Sequence, residues 1–257
     1  MAKWTAFPYT DADYTQDAAG LKKHWARLHA GDAEPLPKDA AVLAAWGHFH
    51  AGEFQKAHDA GLKAGGAGIT VANKAQSIYA TYLEKSEKTR LAMFQEVAAR
   101  AEAQIADDPK NPNAHYWLAY ALGRYGQGIS VAKALAQGLG TKVKTALETT
   151  IQLQPKHADA HIALGAFHAE VIDKVGKLLG RTQGADAATG LKLFQQALKL
   201  NPGSAIAKME YANGLVMLEG DKKMKDAEKL YAEAAAAVAA DAMERLDIEL
   251  AKSELED

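Results

Sequence analysis

The sequence predicts an all-α protein, an array of stacked helical hairpins with helical insertions in its central repeats, on three observations. Proline-centred phrases recur at Pro109, Pro155 and Pro202, roughly 46 residues apart, and each opens onto the same kind of segment: NPNAHYWLAYALG, KHADAHIALGAFH and GSAIAKMEYANGLV. Apolar residues return at intervals of three and four rather than two. Alanine, the strongest helix former, is abundant, and β-branched residues are scattered. A fixed period of about 20 to 50 residues marks a solenoid, because each unit has an apolar face that only a neighbour can bury. Such arrays mostly bind along a concave face and seldom perform chemistry there.

The elements follow in order. An opening helix runs from about Asp17 to His29, with Leu21, Trp25 and Leu28 on one side, and Pro35 and Pro37 end that segment. The first hairpin is Asp39 to His50 followed by Glu53 to Ala64, turning at Gly52, and the glycine-rich stretch from Gly65 to Gly68 closes it. A second hairpin pairs Val71 to Glu84 with Thr89 to Ile105. The third and fourth units are about a dozen residues longer than a roughly 34-residue unit needs. In the added segments Ile129, Ala132, Leu135, Ala136 and Leu139, and then Val171, Ile172, Val175, Leu178 and Leu179, fall at helical spacing. Each insert therefore presents an apolar stripe that is expected to be covered. A last hairpin joins Ala205 to Leu218 with Asp226 to Ala239. The tail from Asp241 to Leu255, with Met243, Leu246 and Leu250 on one face, reads as a polar-backed cap. The whole is expected to form a single domain: a helix and cap over 1–37, repeats over 38–240 and a capping helix over 241–257.

Gly52, Phe54 and Ala57 in one unit, Pro155, Leu164 and Gly165 in another, and Phe194, Ala197 and Pro202 in a third resemble the tetratricopeptide repeat (TPR) superfamily. That resemblance implies a TPR-like α-α superhelical solenoid. The lengthened units, with AHYWLAYALG in one and AHIALGAFHAEVIDKVGKLLG in the next, resemble more narrowly the regulator of microtubule dynamics group, which has extended repeats and bacterial relatives. They are also similar to the repeat-containing T component of TRAP transporters. The membrane anchor of some members of the first group and the lipoprotein signal of the second are not seen here.

Composition narrows the function classes. Charged residues make up 24% of the chain with mixed sign, and a net charge of −2 gives no reason to expect nucleic acid as a partner. Lys222, Lys223 and Lys225, the densest basic cluster, sit between two helical patterns and read as a solvated loop. With no cysteine, disulfides, thiolate nucleophiles and cysteine-ligated metals are excluded. The opening MAKWTAFPYTDADYT lacks the basic and apolar regions of a signal peptide, and no apolar run is long enough to span a bilayer, so a cytoplasmic protein is expected. Nine histidines raise the question of a metal. His161 and His168 share a face, yet a zinc site needs three or four convergent ligands, and His115 and His161 occupy equivalent places where repeats carry packing aromatics. The stretch GRYGQGISVAK matches no phosphate-binding fingerprint and follows no strand. No nucleophile elbow or acid–base pair is visible. The expectation is a non-enzyme without cofactor or metal.

The concave face remains. In the TPR superfamily the second, fifth, ninth and twelfth places of each unit's first helix line the groove, and this resemblance implies Asn113, Tyr116, Tyr120 and Gly123, then Asp159, Ile162, Ala166 and Ala169, then Ile206, Met209, Asn213 and Val216. The first hairpin would add Trp46 and Phe49. No unit carries the Lys and Asn pair of carboxylate-clamping members. The candidate binding residues are Trp46, Phe49, Tyr116, Tyr120, Arg124, Ile162, Met209 and Asn213. Two accounts of them stay open: a groove for a protein segment, apolar or helical, or a filled face that is simply core. A small hydrophobic ligand enclosed by the inserts is the alternative to a protein partner.

Overall fold

The computed structural model describes residues 3–256, save the side chains of Val131, Ala132 and Leu135. The helices are α1 (Ala18–Leu28), α2 (Ala40–His50), α3 (Phe54–Ala64), α4 (Gly68–Tyr82), α5 (Glu87–Asp107), α6 (Pro112–Gln127), α7 (Val131–Ala136), α8 (Leu139–Leu153), α9 (Ala158–Thr182), α10 (Ala187–Leu200), α11 (Ala205–Glu219), α12 (Met224–Ala235) and α13 (Ala242–Glu256). A short 3-10 turn, Asp221–Lys223, precedes α12. No strand occurs among the described residues.

The repeated prolines have a local physical meaning. Two residues after Pro109, Pro155 and Pro202 stand Asn111, His157 and Ser204, and each is the N-cap of the next helix. Their side chains accept the backbone N–H of Ala114, Ala160 and Ala207 respectively. The proline stops one helix and the cap starts the next, satisfying one of the amide groups left over in the first turn. Asp17, Asp39, Ser86 and Asp186 cap α1, α2, α5 and α10 in the same manner.

The backbone contacts gather into two compact units. The first comprises Met1–His29, Glu34–Leu153 and Ala240–Met243; the second comprises Ala30–Ala33, Gln154–Ala239 and Glu244–Asp257.

In the first unit α2 pairs with α3, α4 with α5, and α6 with α8. Helices α3 and α4 approach most closely at two glycines: a Cβ placed on Gly61 would lie 2.5 Å from the Gly68 carbonyl oxygen, so only hydrogen fits. From Thr70 to Ala80 every residue of α4 is buried, polar ones included. Arg100 of α5 answers them, its guanidinium donating to Asn73 Oδ1 (2.9 Å) and Gln76 Oε1 (2.5 Å). Asn73 Nδ2 donates to Gln104 Oε1, Gln104 Nε2 to Thr70 Oγ1, and Gln76 Nε2 to the Met93 carbonyl and the Glu96 carboxylate. Burial pulls the Arg100 guanidinium below its ordinary value while Glu96 pushes it back up. The N-terminal segment is laid over the first hairpins. The Trp4 indole stacks on Tyr79 at 4.3 Å, and Phe7 lies against Gly52, whose φ of 80° closes the α2–α3 turn.

In the second unit α9 packs on α10 and α11, and α11 on α12. Phe194 of α10 is fully buried, with Gly165 of α9 and Gly214 of α11 against its ring. A Cβ on Gly165 would meet it at 3.0 Å, and one on Gly214 would overlap it. Ile162, Ala169, Ile172, Ala197, Ala207 and Leu218 complete this core. A second cluster joins Ala205 and Met209 to Ala234, Ile248 and Ala251. In the tail Leu246 is buried while Met243 and Leu250 are half-buried.

The two lengthened units extend differently. In the third, the added residues form α7 and the start of α8. Leu139 is buried, Ile129 half-buried and Ala136 exposed, while the Ala132 and Leu135 side chains lie outside the described residues. In the fourth, the added residues prolong α9 past a break at Gly176 (φ 78°, ψ 162°). The expectation that this stripe would be covered is corrected beyond Ile172. Val171 packs against the core, but Val175, Leu178 and Leu179 are 37%, 79% and 59% exposed. The positive-φ backbone at Gly176 interrupts the helical phase that would have kept Leu178 and Leu179 on the side of Val171 and Ile172.

Gly214→Ala forces a methyl group onto the Phe194 ring and is expected to destabilise the chain by about 1–3 kcal/mol in urea unfolding. Combining it with Phe194→Leu, which vacates part of the slot, should cost less than the sum of the two single changes. Arg100→Leu leaves the Asn73 and Gln76 acceptors buried without their donor and is expected to cost about 2–4 kcal/mol by the same measurement.

Candidate protein-binding surface

Trp46 and Phe49, expected on the concave face, are completely buried in the first unit. Their rings meet edge to face at 5.6 Å, and the ammonium of buried Lys74 stands 5.6 Å from the Trp46 ring and 5.1 Å from that of Phe49. Trp25 and His29 of the first segment pack against Trp46, and His29 approaches His50. His50 Nδ1 lies 2.7 Å from Asp241 Oδ2, and its Nε2 lies 3.3 Å from His29 Nε2. Trp46 and Phe49 thus anchor an interior polar-aromatic cluster rather than a surface.

The ladder on α6 is brought together as its spacing implied. Tyr116 is buried against Trp117, and the Tyr120 ring stands 6.2 Å from Tyr116 and 5.3 Å from Trp117. The Tyr120 hydroxyl and Thr81 Oγ1 are 2.8 Å apart. The Arg124 guanidinium lies 5.4 Å from the Tyr120 ring centre and donates to Gln127 Oε1 at 3.3 Å. Tyr120 and Arg124 are half-buried, so a stacked aromatic and cation reach solvent along one edge of α6.

In the second unit Ile162 belongs to the core around Phe194 and Met209 to the cluster formed with α12 and α13. Asn213 is half-buried, and its Oδ1 accepts from the Tyr231 hydroxyl at 2.6 Å. The Glu254 carboxylate stands 2.9 Å from the same hydroxyl. Burial first, and then that carboxylate, push the Tyr231 phenol well above its ordinary value, so it remains a donor across the usual pH range.

A surface that the sequence reading missed lies between α1 and α2. It is an open groove of about 950 Å³, with Leu21 of α1 along one side, Leu36 and Pro37 at its rim, and Ala40, Leu43, Ala44 and Gly47 of α2 as its floor. Ala40, Ala44, Gly47 and Ala51 recur at helical spacing, so the outward side of α2 is made of small residues. The absent side chain at Gly47 lets Leu21 come close: a Cβ there would lie 3.2 Å from its Cδ1. At one end Glu53 accepts from the Lys56 ammonium and the His48 imidazole. The Lys56 hydrogen bond holds the Glu53 carboxyl below its ordinary value against burial, with His48 adding to the effect. Lys22, Lys38 and Asp39 supply further polar lining. One signal was available beforehand: α2 contains no Lys, Arg, Asp or Glu, so it has no charged side to turn to water.

The histidines singled out from the sequence serve local structure. His157 caps α9, His161 Nδ1 contacts the His157 carbonyl at 2.9 Å, and His168 Nδ1 accepts from the Asp186 N–H at 3.1 Å. His115 Nε2 contacts the Pro109 carbonyl at 2.9 Å. Among the described residues no group of three or more His, Asp and Glu is placed to hold a metal. Nor is any helix among them long and apolar enough to cross a membrane.

Among solved structures the chain is similar to a thermophilic TPR protein from Thermus thermophilus, with a TM-score of 0.58 and 15% identity. The likeness covers 83% of this chain and 97% of that one and shows a TPR-like fold. No curated protein matches it. The model of the regulator of microtubule dynamics protein 1-3 family matches residues 69–247, well over half of the chain, from the second hairpin into the last helix, and the chain belongs to that family.

Proposed function

We propose that the chain is a non-enzymatic scaffold that binds a protein segment, and that its α1–α2 groove takes an apolar face of a partner helix. The observation that carries this reading is the groove itself, open to solvent and floored by the small outward residues of an uncharged helix. Small side chains let a second helix approach to the short interaxial distances of close packing, and Leu21, Leu36 and Leu43 offer the apolar contacts between which its side chains would fit. Lys22 and Lys38 with Asp39 and Glu53 supply a mixed polar rim. The TPR-like fold agrees with such a role, since these repeats recur as interaction modules. The stacked Tyr120 and Arg124 form a second accessible face of the first unit, where the aromatic would anchor a partner and the guanidinium orient it. The groove volume also falls in the range of about 300–1,000 Å³ common for small ligands, which favours a small hydrophobic molecule as the second reading.

Ala44 is exposed, so Ala44→Arg fills the groove without touching the core. The variant is expected to keep the melting temperature and to lose, by about tenfold or more in affinity, the partner that the wild-type chain retains in affinity purification. Mass spectrometry of the captured protein and of extracted small molecules separates the two readings; an unchanged set of both in Ala44→Arg removes the groove from either. For the α6 face, Tyr120→Ala and Arg124→Ala are read together. A binding role predicts a loss of about 2 kcal/mol or more in partner affinity from either change. A packing role predicts a stability loss of about 3–5 kcal/mol from the tyrosine change alone, with the partners of Arg124→Ala unaltered.

A further inference from the structure

The distal part of α9 has a shape and composition that the scaffold reading does not use. Residues 173–179 are exposed in unbroken succession. On either side the chain closes on itself, because Ile172 and Gly180 are both buried and a Cβ on Gly180 would stand 3.1 Å from Ile172 Cγ1. The segment between is therefore a protrusion with a narrow neck, and Gly176, at φ 78°, turns the backbone inside it. At this projection stand Val175, Leu178 and Leu179, with Leu178 the most exposed leucine among the described large hydrophobics. Two adjacent leucines held out in water on a projecting segment are costly to solubility unless something covers them.

Charge indicates what that is. From 173 to 181 the segment carries Lys174, Lys177 and Arg181 against one acid, Asp173, in a chain whose overall net charge is −2. Glu170, one turn earlier, lies 3.8 Å from the Lys174 ammonium, and Asp186, which caps α10 beyond the neck, lies within electrostatic reach of Arg181. A projection suits a plane better than a groove: a flat partner admits its apolar tip, and cations around the tip meet the anions of that plane. A lipid bilayer with anionic headgroups has both properties, since leucine side chains enter the boundary between headgroups and acyl chains while lysine and arginine remain at the headgroup level.

We propose that the α9 protrusion is a peripheral docking site for an anionic lipid bilayer, with Val175, Leu178 and Leu179 entering the interface and Lys174, Lys177 and Arg181 held at the headgroups. This site is independent of the α1–α2 groove, and its failure would leave the groove reading untouched. The test is co-sedimentation of the full chain with vesicles of phosphatidylcholine alone or with about one-third phosphatidylserine. The expected result is binding to the anionic vesicles only, falling as salt rises. Leu178→Asp with Leu179→Asp should weaken it by at least about tenfold. Lys177→Glu with Arg181→Glu should weaken it comparably, both variants keeping the wild-type melting temperature because the altered side chains are exposed. No binding to anionic vesicles, equal binding to neutral ones, or binding that survives the leucine changes overturns the proposal. So does a wild-type dimer that the leucine changes convert to monomer in light scattering, or a soluble protein that the tip captures in place of the vesicles; either would assign the leucines to another surface.

Discussion

Helix α4 sets the terms for the first unit. A helix buried on every side ordinarily carries hydrocarbon, yet this one buries Thr70, Asn73, Lys74, Gln76 and Ser77 as well. Each such group loses water on folding and destabilises the chain unless a partner replaces it. Arg100 and Gln104 of α5 meet that requirement for Thr70, Asn73 and Gln76 by direct hydrogen bonds. Because these bonds have direction, they fix the rotation and axial position of α4 against α5 more sharply than apolar packing could. The glycine contact on the opposite side, Gly61 against Gly68, fixes its distance from α3. Most of the first unit's core is built outward from this one well-registered helix.

The second unit solves the same geometric problem with hydrocarbon. There Phe194 is the key, and two glycines on neighbouring helices form the slot into which it fits. One unit is held in register by amide and guanidinium bonds, the other by the shape of a single ring. The first arrangement is sensitive to loss of a hydrogen-bond partner and the second to a change of volume. The fold is thus shared with TPR proteins while the interactions that enforce it differ along one chain.

Much of the fold was legible in the sequence because it is written in short-range signals. Pro109, Pro155 and Pro202 stop helices, the capping residue two positions later starts them, and the apolar spacing of three and four carries the rest. Burial was far less legible. Trp46, Phe49, Ile162 and Met209 occupy positions that the repeat register assigns to a groove, but whether such a position faces water depends on what packs over it, here α1 for Trp46 and α13 for Met209. The ladder of Tyr116, Tyr120 and Arg124 was readable since all three lie on one helix. The α1–α2 groove was not, because it depends on two helices separated by a proline-bounded loop and on the small size of Ala44 and Gly47. The same limit explains the uncovered stripe of α9: periodicity identified the apolar face, while the break at Gly176 that turns its far end outward belongs to the backbone.

The His50–Asp241 contact spans 191 positions of chain, and Ala240–Met243 belongs to the first unit although all of Gln154–Ala239 belongs to the second. As the chain leaves the ribosome, α1 and α2 can meet early, but the carboxylate that completes their buried imidazole pair is made only 191 residues after His50. The N-terminal core must therefore wait, with His50 lacking its acceptor, until the second unit has been synthesised. A chain cut short just before Asp241 would carry that incompleteness permanently, so the damage from a late stop codon would surface at the opposite end of the sequence, in the packing of α1 and α2.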